Sequence, residues 1–257
     1  MDILYPVSGF VVGALTGLTG MGGGSIMTPL LILVFGVAPA SAVGTDLLYA
    51  AVTKSAGARV HAGRGNVDWP VVGLLAAGSL PAAMLTLALI GHLPPQSPAL
   101  ARTIATCIGL ALFVSAASLL FPRASEWIAG GAAARIPAPI KPWVTVFLGF
   151  VLGVLVSLTS VGAGAVGIAV LRHLYPDMPA VRLAGSDIAH AVPLTLVAGT
   201  GHWLIGDVQL VLLGSLLLGS IPGICIASHY AHRIPDAMLR RFLGALLLVI
   251  AIRMLAL

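Results

Sequence analysis

Two aspartates, Asp46 and Asp187, lie inside apolar segments of this 257-residue chain, in the sequences Gly-Thr-Asp and Gly-Ser-Asp. An ionisable side chain in such a segment is costly to bury and usually serves a function. We therefore expect proton or cation coupling, with Tyr49 and His190 as relay partners three residues further along each helix. The structural alternative is a carboxyl near a helix end that accepts a hydrogen bond from a neighbouring helix.

Two glycine-rich stretches precede these aspartates: the first tip, residues 20–24, and the second tip, residues 160–164. Each is expected to start a new helix, near Ser25 and near Ala165, whose unpaired N–H groups and dipole attract anions. The alternative is a pair of simple glycine turns. The candidate anion ligands are Thr19, Gly22, Gly23, Gly24 and Ser25 in the first half of the chain, and Thr159, Ser160, Gly162 and Gly164 in the second.

Both sets of residues belong to an internal repeat. The stretch Ser8–Gly24 returns 140 positions later as Leu148–Gly164, and the match then continues at a spacing of 141 residues. The second spacing pairs Asp46 with Asp187 and Gly78-Ser-Leu-Pro81 with Gly219-Ser-Ile-Pro222. A duplicated apolar chain with interrupted segments in corresponding places is typical of transporters whose site lies between the repeats.

The composition assigns the chain to the membrane. Hydrophobic residues make up 59% and charged residues 8%, compared with about 25% charged residues in soluble domains. The net charge of +5 does not indicate nucleic-acid binding, because the basic residues are scattered between apolar runs. The sequence contains no His-Glu-x-x-His motif and no convincing nucleophile–base pair, so we expect no enzyme activity, no metal and no cofactor.

Ten apolar segments follow one another along the chain, five in each half. The last three of each half reach the roughly 20 residues that a full membrane span needs. The first two are shorter, so we expect a hairpin or broken helix pair at each tip. The expected fold is therefore all-α, with the first repeat at 1–121, a linker at 122–142 and the second repeat at 143–257, together forming one transmembrane domain. His61 and His202 are expected to anchor the chain at the membrane interfaces, with a role in gating as the alternative.

The basic residues favour inverted repeats under the positive-inside rule. If each short pair returns to its own side, only Arg102 and Arg253 lie outside, and both termini are extracellular. The cytoplasmic set then has nine members: Arg64, Arg123, Arg135, Lys141, Arg172, Arg182, Arg233, Arg240 and Arg241. Parallel repeats would instead turn the loop that holds the last three outward.

Three motifs resemble the TauE/SafE family of sulfite exporters: Gly17-Leu-Thr-Gly-Met-Gly-Gly-Gly24 followed by Pro29, then Gly44-Thr-Asp-Leu47, then Ala62-Gly-Arg-Gly-Asn-Val-Asp-Trp69. The second tip departs from the pattern, because no proline follows it. The resemblance implies a multi-pass permease of the bacterial inner membrane that exports sulfite or organosulfonates.

The expected function is alternating-access export of a small sulfur-containing anion through the lipid bilayer, with proton coupling as an open question. A channel or carrier for another small anion or a cation is the alternative. The sequence leaves the substrate, the direction of transport and a homodimer open.

Overall fold

The structure is a computed structural model that describes residues 3–19, 24–92, 97–121, 137, 139–162, 165–206, 208–230 and 236–256. All regular elements in these ranges are α-helices. In chain order they are α1 Leu4–Thr19, α2 Gly24–Leu33, α3 Pro39–Gly63, α4 Trp69–Gly91, α5 Pro98–Leu120, α6 Lys141–Thr159, α7 Ala165–Leu174, α8 Ala180–Ile205, α9 Leu210–Tyr230 and α10 Asp236–Leu255.

Local sequence signals explain where several helices begin and end. Proline occupies the first turn of α3, α4, α5 and α6, where its missing N–H is not needed. The side chain of Asp68 accepts a hydrogen bond from Val71 N at the start of α4. At the opposite ends, Ser160 and Gly206 adopt left-handed conformations after α6 and α8.

Five helices of the described residues are long and apolar enough to cross a membrane: α4, α5, α6, α8 and most of α9. Helix α6 was expected to be shorter than a span, but it extends over 19 residues because the helix already begins at Lys141, inside the expected linker. Helices α3 and α10 have the required length but are more polar, with Asp46 and Lys54 in α3. The protein is thus an all-helical, multi-pass membrane protein.

Helices of one half pack against helices of the other half. Helix α1 packs against α9, and its repeat equivalent α6 packs against α4. Glycines bring these backbones together, as a small-residue stripe allows. The closely facing pairs are Gly9 with Leu216, Gly13 with Ser220, Gly149 with Leu75 and Gly153 with Ser79.

Equivalent helices also pack against each other, α3 against α8 and α5 against α10. On α3, Leu48 faces Gly199 and Gly57 faces Ile188 of α8, so the two helices run antiparallel. Helices α5 and α10 are also antiparallel, since Gly109 faces Leu255 and Gly244 faces Leu120. Antiparallel packing of equivalent helices requires the two halves to point in opposite directions at these contacts.

Candidate functional site

Asp46 is fully buried in α3, with 0% of its surface exposed. The hydroxyl of Thr28, from the short helix α2, donates a hydrogen bond of 2.5 Å to Asp46 Oδ2. The Ser160 side chain, from the second tip, lies beside the same carboxyl. The first candidate acid is therefore held between a residue of its own half and the tip of the other half.

Asp187 occupies the equivalent position in α8, with 2% of its surface exposed. Its surroundings differ, because the repeat position of Thr28 falls at Ile168 or Ala169, depending on the spacing, and neither residue offers a hydroxyl. Gly167 of α7 lies against Asp187 Oδ1, and a β-carbon at that glycine would collide with the oxygen. The repeat thus brings both aspartates to buried positions but gives only Asp46 a threonine donor.

Lys54, two turns beyond Asp46 on α3, is 9% exposed. It lies close enough to Asp46, Asp187 and His190 to interact electrostatically with each of them. Lys54 has no basic counterpart in the second half, where Thr195 occupies the equivalent position. A single cation therefore lies among acids contributed by both halves.

The expected relay residues bind serines of the opposite half. Tyr49 shares a hydrogen bond of 2.5 Å with Ser220 of α9, and His190 Nε2 shares one of 2.8 Å with Ser79 of α4. Tyr49 and His190 are equivalent in the repeat, and so are the two serines. The sequence reasoning missed the serines as site residues, although they stand in the repeated Gly-Ser-x-Pro motif.

The hydroxyl residues that precede the two aspartates also form hydrogen bonds with the opposite half. Ser186 Oγ accepts a hydrogen bond from Asp68 N, and Thr45 Oγ1 accepts one from Gln209 N, at 2.8 and 3.2 Å. Asp68 and Gln209 are again equivalent positions. The small hydroxyl of each Gly-Thr/Ser-Asp motif therefore fixes the loop before the fourth helix of the other half.

The second tip has a defined backbone shape. Ser160 and Gly162 both have positive φ angles, 57° and 128°, so the chain turns sharply between α6 and α7. The Thr159 hydroxyl bonds within this turn, donating to Leu155 O and accepting from Val161 N. Of the ligands expected at this tip, Ser160 is the one whose hydroxyl lies next to an acid.

The first tip falls mostly outside the described residues, as do Gly22, Gly23 and Gly164 of the expected ligands. Thr19 ends α1 and Gly24 begins α2, as the sequence predicts. Ser25 follows in the first turn of α2 and is half-buried.

One histidine lies elsewhere than expected. His202 was predicted to anchor the chain at a membrane interface, but it is fully buried, and its Nε2 hydrogen bonds with Ser157 O at 2.9 Å. The packing of α8 against α6 removes it from the surface.

Several buried polar atoms near the acids have no hydrogen-bond partner among the described residues. They are Asp46 Oδ1, Asp187 Oδ1 and His190 Nδ1. An unpaired buried polar group costs about 1–3 kcal/mol. Such groups gathered around two acids and one cation form an arrangement that can take up a small polar ligand or protons.

Comparisons with known proteins agree with this architecture. Residues 5–254 match the family described as sulfite exporter TauE/SafE. The chain is 34% identical to the probable membrane transporter protein YjnA of Bacillus subtilis, over 99% of this chain and all of that protein. It is 27% identical to the probable membrane transporter protein YdhB of the same organism, over 90% and 91% of the two chains.

No solved structure matches the chain significantly. The family match covers the repeated helices, both tips and all the buried charged residues described above. Together with the apolar spanning helices, it shows that this protein is a member of the TauE/SafE family of membrane transporters.

Proposed function

We propose that the protein exports a small sulfur-containing oxyanion, such as sulfite or an organosulfonate, by alternating access, and that Asp46 and Asp187 couple this transport to protons. The observation that carries the proposal is the meeting of the halves at Asp46, where Thr28 and Ser160 approach one buried carboxyl. A site shared by two repeats can open to either side when one half rocks against the other.

The substrate site in this proposal includes Ser160 and the backbone of the second tip. The Ser160 hydroxyl lies beside Asp46, and the turn at Gly162 leads into α7. Hydroxyl and backbone N–H donors suit the oxygens of sulfite or a sulfonate. The residues proposed from sequence at the first tip would supply the equivalent donors of the other half.

We also propose that the two halves are inverted in the cell membrane, with the linker in the cytoplasm and both termini outside. The antiparallel packing of α3 against α8 supports this arrangement if both helices cross the bilayer. The distribution of basic residues supports it as well. An ion pair of 3.0 Å between Arg182 and Asp68 would lie on the cytoplasmic side.

The test is a flux assay with the purified protein in liposomes, loaded in turn with sulfite, sulfoacetate and a monovalent cation. We expect outward flux of one of the two anions and a response of that flux to an imposed pH gradient. Flux of the cation alone would contradict the proposal and favour the cation carrier.

The double variant Asp46→Asn/Asp187→Asn tests the coupling in the same assay. The asparagine at position 46 keeps an oxygen that accepts from Thr28, and neither asparagine can exchange a proton, so anion flux should persist while its response to the pH gradient is reduced about tenfold or more. Each single variant retains one acid that can exchange a proton and should stay coupled. Unchanged pH dependence in the double variant would make the acids structural.

A further inference from the structure

We infer that Lys54 is the counter-charge of the transported anion, and that the cluster formed by Lys54, Asp46 and Asp187 enforces electroneutral co-transport of one proton with each monovalent anion. This inference rests on the proposed function, because it assigns a role in anion transport. It assigns a role to Lys54, a single negative charge to the substrate and a stoichiometry of one proton per anion, none of which the repeat predicts.

Lys54 lies near an acid of each half. Lys54 lies two turns beyond Asp46 on α3, and Gly57, one turn further, faces Ile188 beside Asp187. The ammonium is therefore near a carboxyl of each half, and all three side chains are at least nine-tenths buried. The second half has Thr195 at the equivalent position, and its hydroxyl donates to Ala191 O of the same helix. The cluster therefore contains two acids but only one base.

The neighbours of Lys54 add no further fixed charge. Helices α2 and α4 contain no ionisable side chain, and the buried parts of α5, α6 and α9 contain no acidic or basic one. The other buried titratable groups of α3 and α8 are Tyr49, His190 and His202, which are hydrogen bonded to Ser220, Ser79 and the carbonyl oxygen of Ser157. All three can form these hydrogen bonds in their neutral forms.

The charge balance gives the stoichiometry. With both carboxyls ionised and Lys54 protonated, the cluster has one net negative charge, and a single proton makes it neutral. A net charge buried away from water is strongly unfavourable, so the empty site carries that one proton. Binding a monovalent anion adds a negative charge, which a second proton must cancel. Anion and proton therefore enter and leave the site together.

Both acids have a carboxyl oxygen that is available to take up a proton. Asp46 Oδ1 and Asp187 Oδ1 have no hydrogen-bond partner among the described residues, and the Ser160 side chain lies beside the Asp46 carboxyl. Each free carboxyl oxygen can take up a proton, and the serine hydroxyl can donate to an anion oxygen. Lys54 supplies the positive charge that holds the anion near two acids.

The experiment measures methanesulfonate and hydrogensulfite flux in liposomes that contain a pH dye and a membrane potential clamped with valinomycin. Methanesulfonate stays anionic at every working pH, so each proton counted with it moves by coupling. We expect one proton per methanesulfonate and no effect of the clamped potential. Flux that carries net charge in the wild-type protein would overturn the inference while leaving the proposed function intact.

Three variants separate the role of Lys54 from a structural one. Lys54→Gln should reduce anion flux more than about 30-fold, because it leaves two buried acids without their cation, whereas Lys54→Arg should retain most of it. In Asp46→Asn/Asp187→Asn, only the charge of Lys54 remains, so the anion should move without a proton and respond to the potential.

If Lys54→Gln had the same flux and the same proton stoichiometry as the wild-type protein, the inference would be wrong. If Lys54→Gln does not fold, two measurements still test the inference. They are the net charge that moves with methanesulfonate in the wild-type protein and the response of the double Asn variant to the membrane potential. Absence of flux for every anion in the wild-type protein would instead contradict the proposed function, and the inference with it.

Discussion

Tyr49 and His190 show how a duplicated site can diverge residue by residue. Both side chains are fully buried, and each bonds to the equivalent serine of the opposite half, Ser220 or Ser79. A phenol and an imidazole thus fill the same role in the packing. Their proton chemistry differs, since the imidazole has a second ring nitrogen that can take up a proton. The repeat therefore keeps the hydrogen bond between the halves but not the type of side chain that forms it.

The first prediction concerns the Tyr49–Ser220 hydrogen bond. Ser220→Ala should destabilise the protein by about 1–3 kcal/mol, because the Tyr49 hydroxyl would remain buried without its partner. Adding Tyr49→Phe should restore most of that loss, since no polar group is then left unpaired. Thermal unfolding of the detergent-solubilised variants measures both effects. Fully additive losses in the double variant would show that the two side chains are not coupled.

At the scale of helices, close approach of backbones explains why particular glycines recur. Gly78 of α4 lies against the backbone of α6, and its equivalent Gly219 of α9 lies against the backbone of α1. Each glycine directly precedes the serine that binds across the halves, and Pro81 or Pro222 follows inside the same helix. The glycine therefore sets how closely the helices pack, and so the distance that the serine hydroxyl must bridge.

The second prediction tests this contact with a matched pair of glycines. In Gly78→Ala the new β-carbon would collide with Val146 O and lie 2.7 Å from Phe150 N. We expect a loss of about 1–3 kcal/mol in stability, as overpacking typically causes. Gly73→Ala, on the same helix, is the control, because nothing lies within 4 Å of its β-carbon.

The control variant should unfold at the wild-type temperature or slightly above it, since alanine favours a helix more than glycine does. The same comparison is available in the second half, with Gly219→Ala as the test and Gly214→Ala as the control. Equal stability of Gly78→Ala and Gly73→Ala would refute the close packing.

At the scale of the whole molecule, the contacts have the pattern of a two-fold axis that exchanges the halves. Helix α1 packs on α9 as α6 packs on α4, and the equivalent pairs α3/α8 and α5/α10 pack antiparallel. The departures from symmetry are the charged and polar residues. Lys54 has a threonine as its counterpart, and the counterpart of Thr28 has no hydroxyl. The helix packing is thus symmetric, and the differences between equivalent residues distinguish the two halves of the site.

The third prediction concerns the orientation of the halves in the membrane. After replacement of Cys107 and Cys225, single cysteines at Ala38 and at Asp177 would report on equivalent loops, those before α3 and before α8. Both positions are exposed. In inverted halves, an impermeant reagent added to intact cells should label position 38 and not position 177, which becomes accessible only after the cells are opened.

Permeabilised cells, in which both cysteines should react, control for reactivity. Labelling of both positions from outside would mean that the halves are parallel. The antiparallel contact of α3 and α8 would then have to lie in the plane of the membrane.

Much of the fold could be predicted from sequence because it depends on local signals. An apolar run lies in the same residues as the helix that it forms, so the ten apolar segments predicted from sequence correspond to the ten helices of the described residues. The lengthening of α6 is the exception, since the apolar run does not reveal that the helix includes Lys141. The burial of Asp46 and Asp187 could also be predicted, because it depends on the segment in which each acid lies.

The amino-acid sequence by itself determined the repeat, the membrane class, the helices and the equivalence of the two acids. Only the tertiary structure decided which residues meet: Tyr49 with Ser220, His190 with Ser79, and Lys54 near acids of both halves. These partners are more than 100 residues apart in most cases. Helices that are apolar all round do not reveal which face turns inward. The rotation and register of each helix are set by packing of small residues against another backbone, and that contact exists only in the folded molecule.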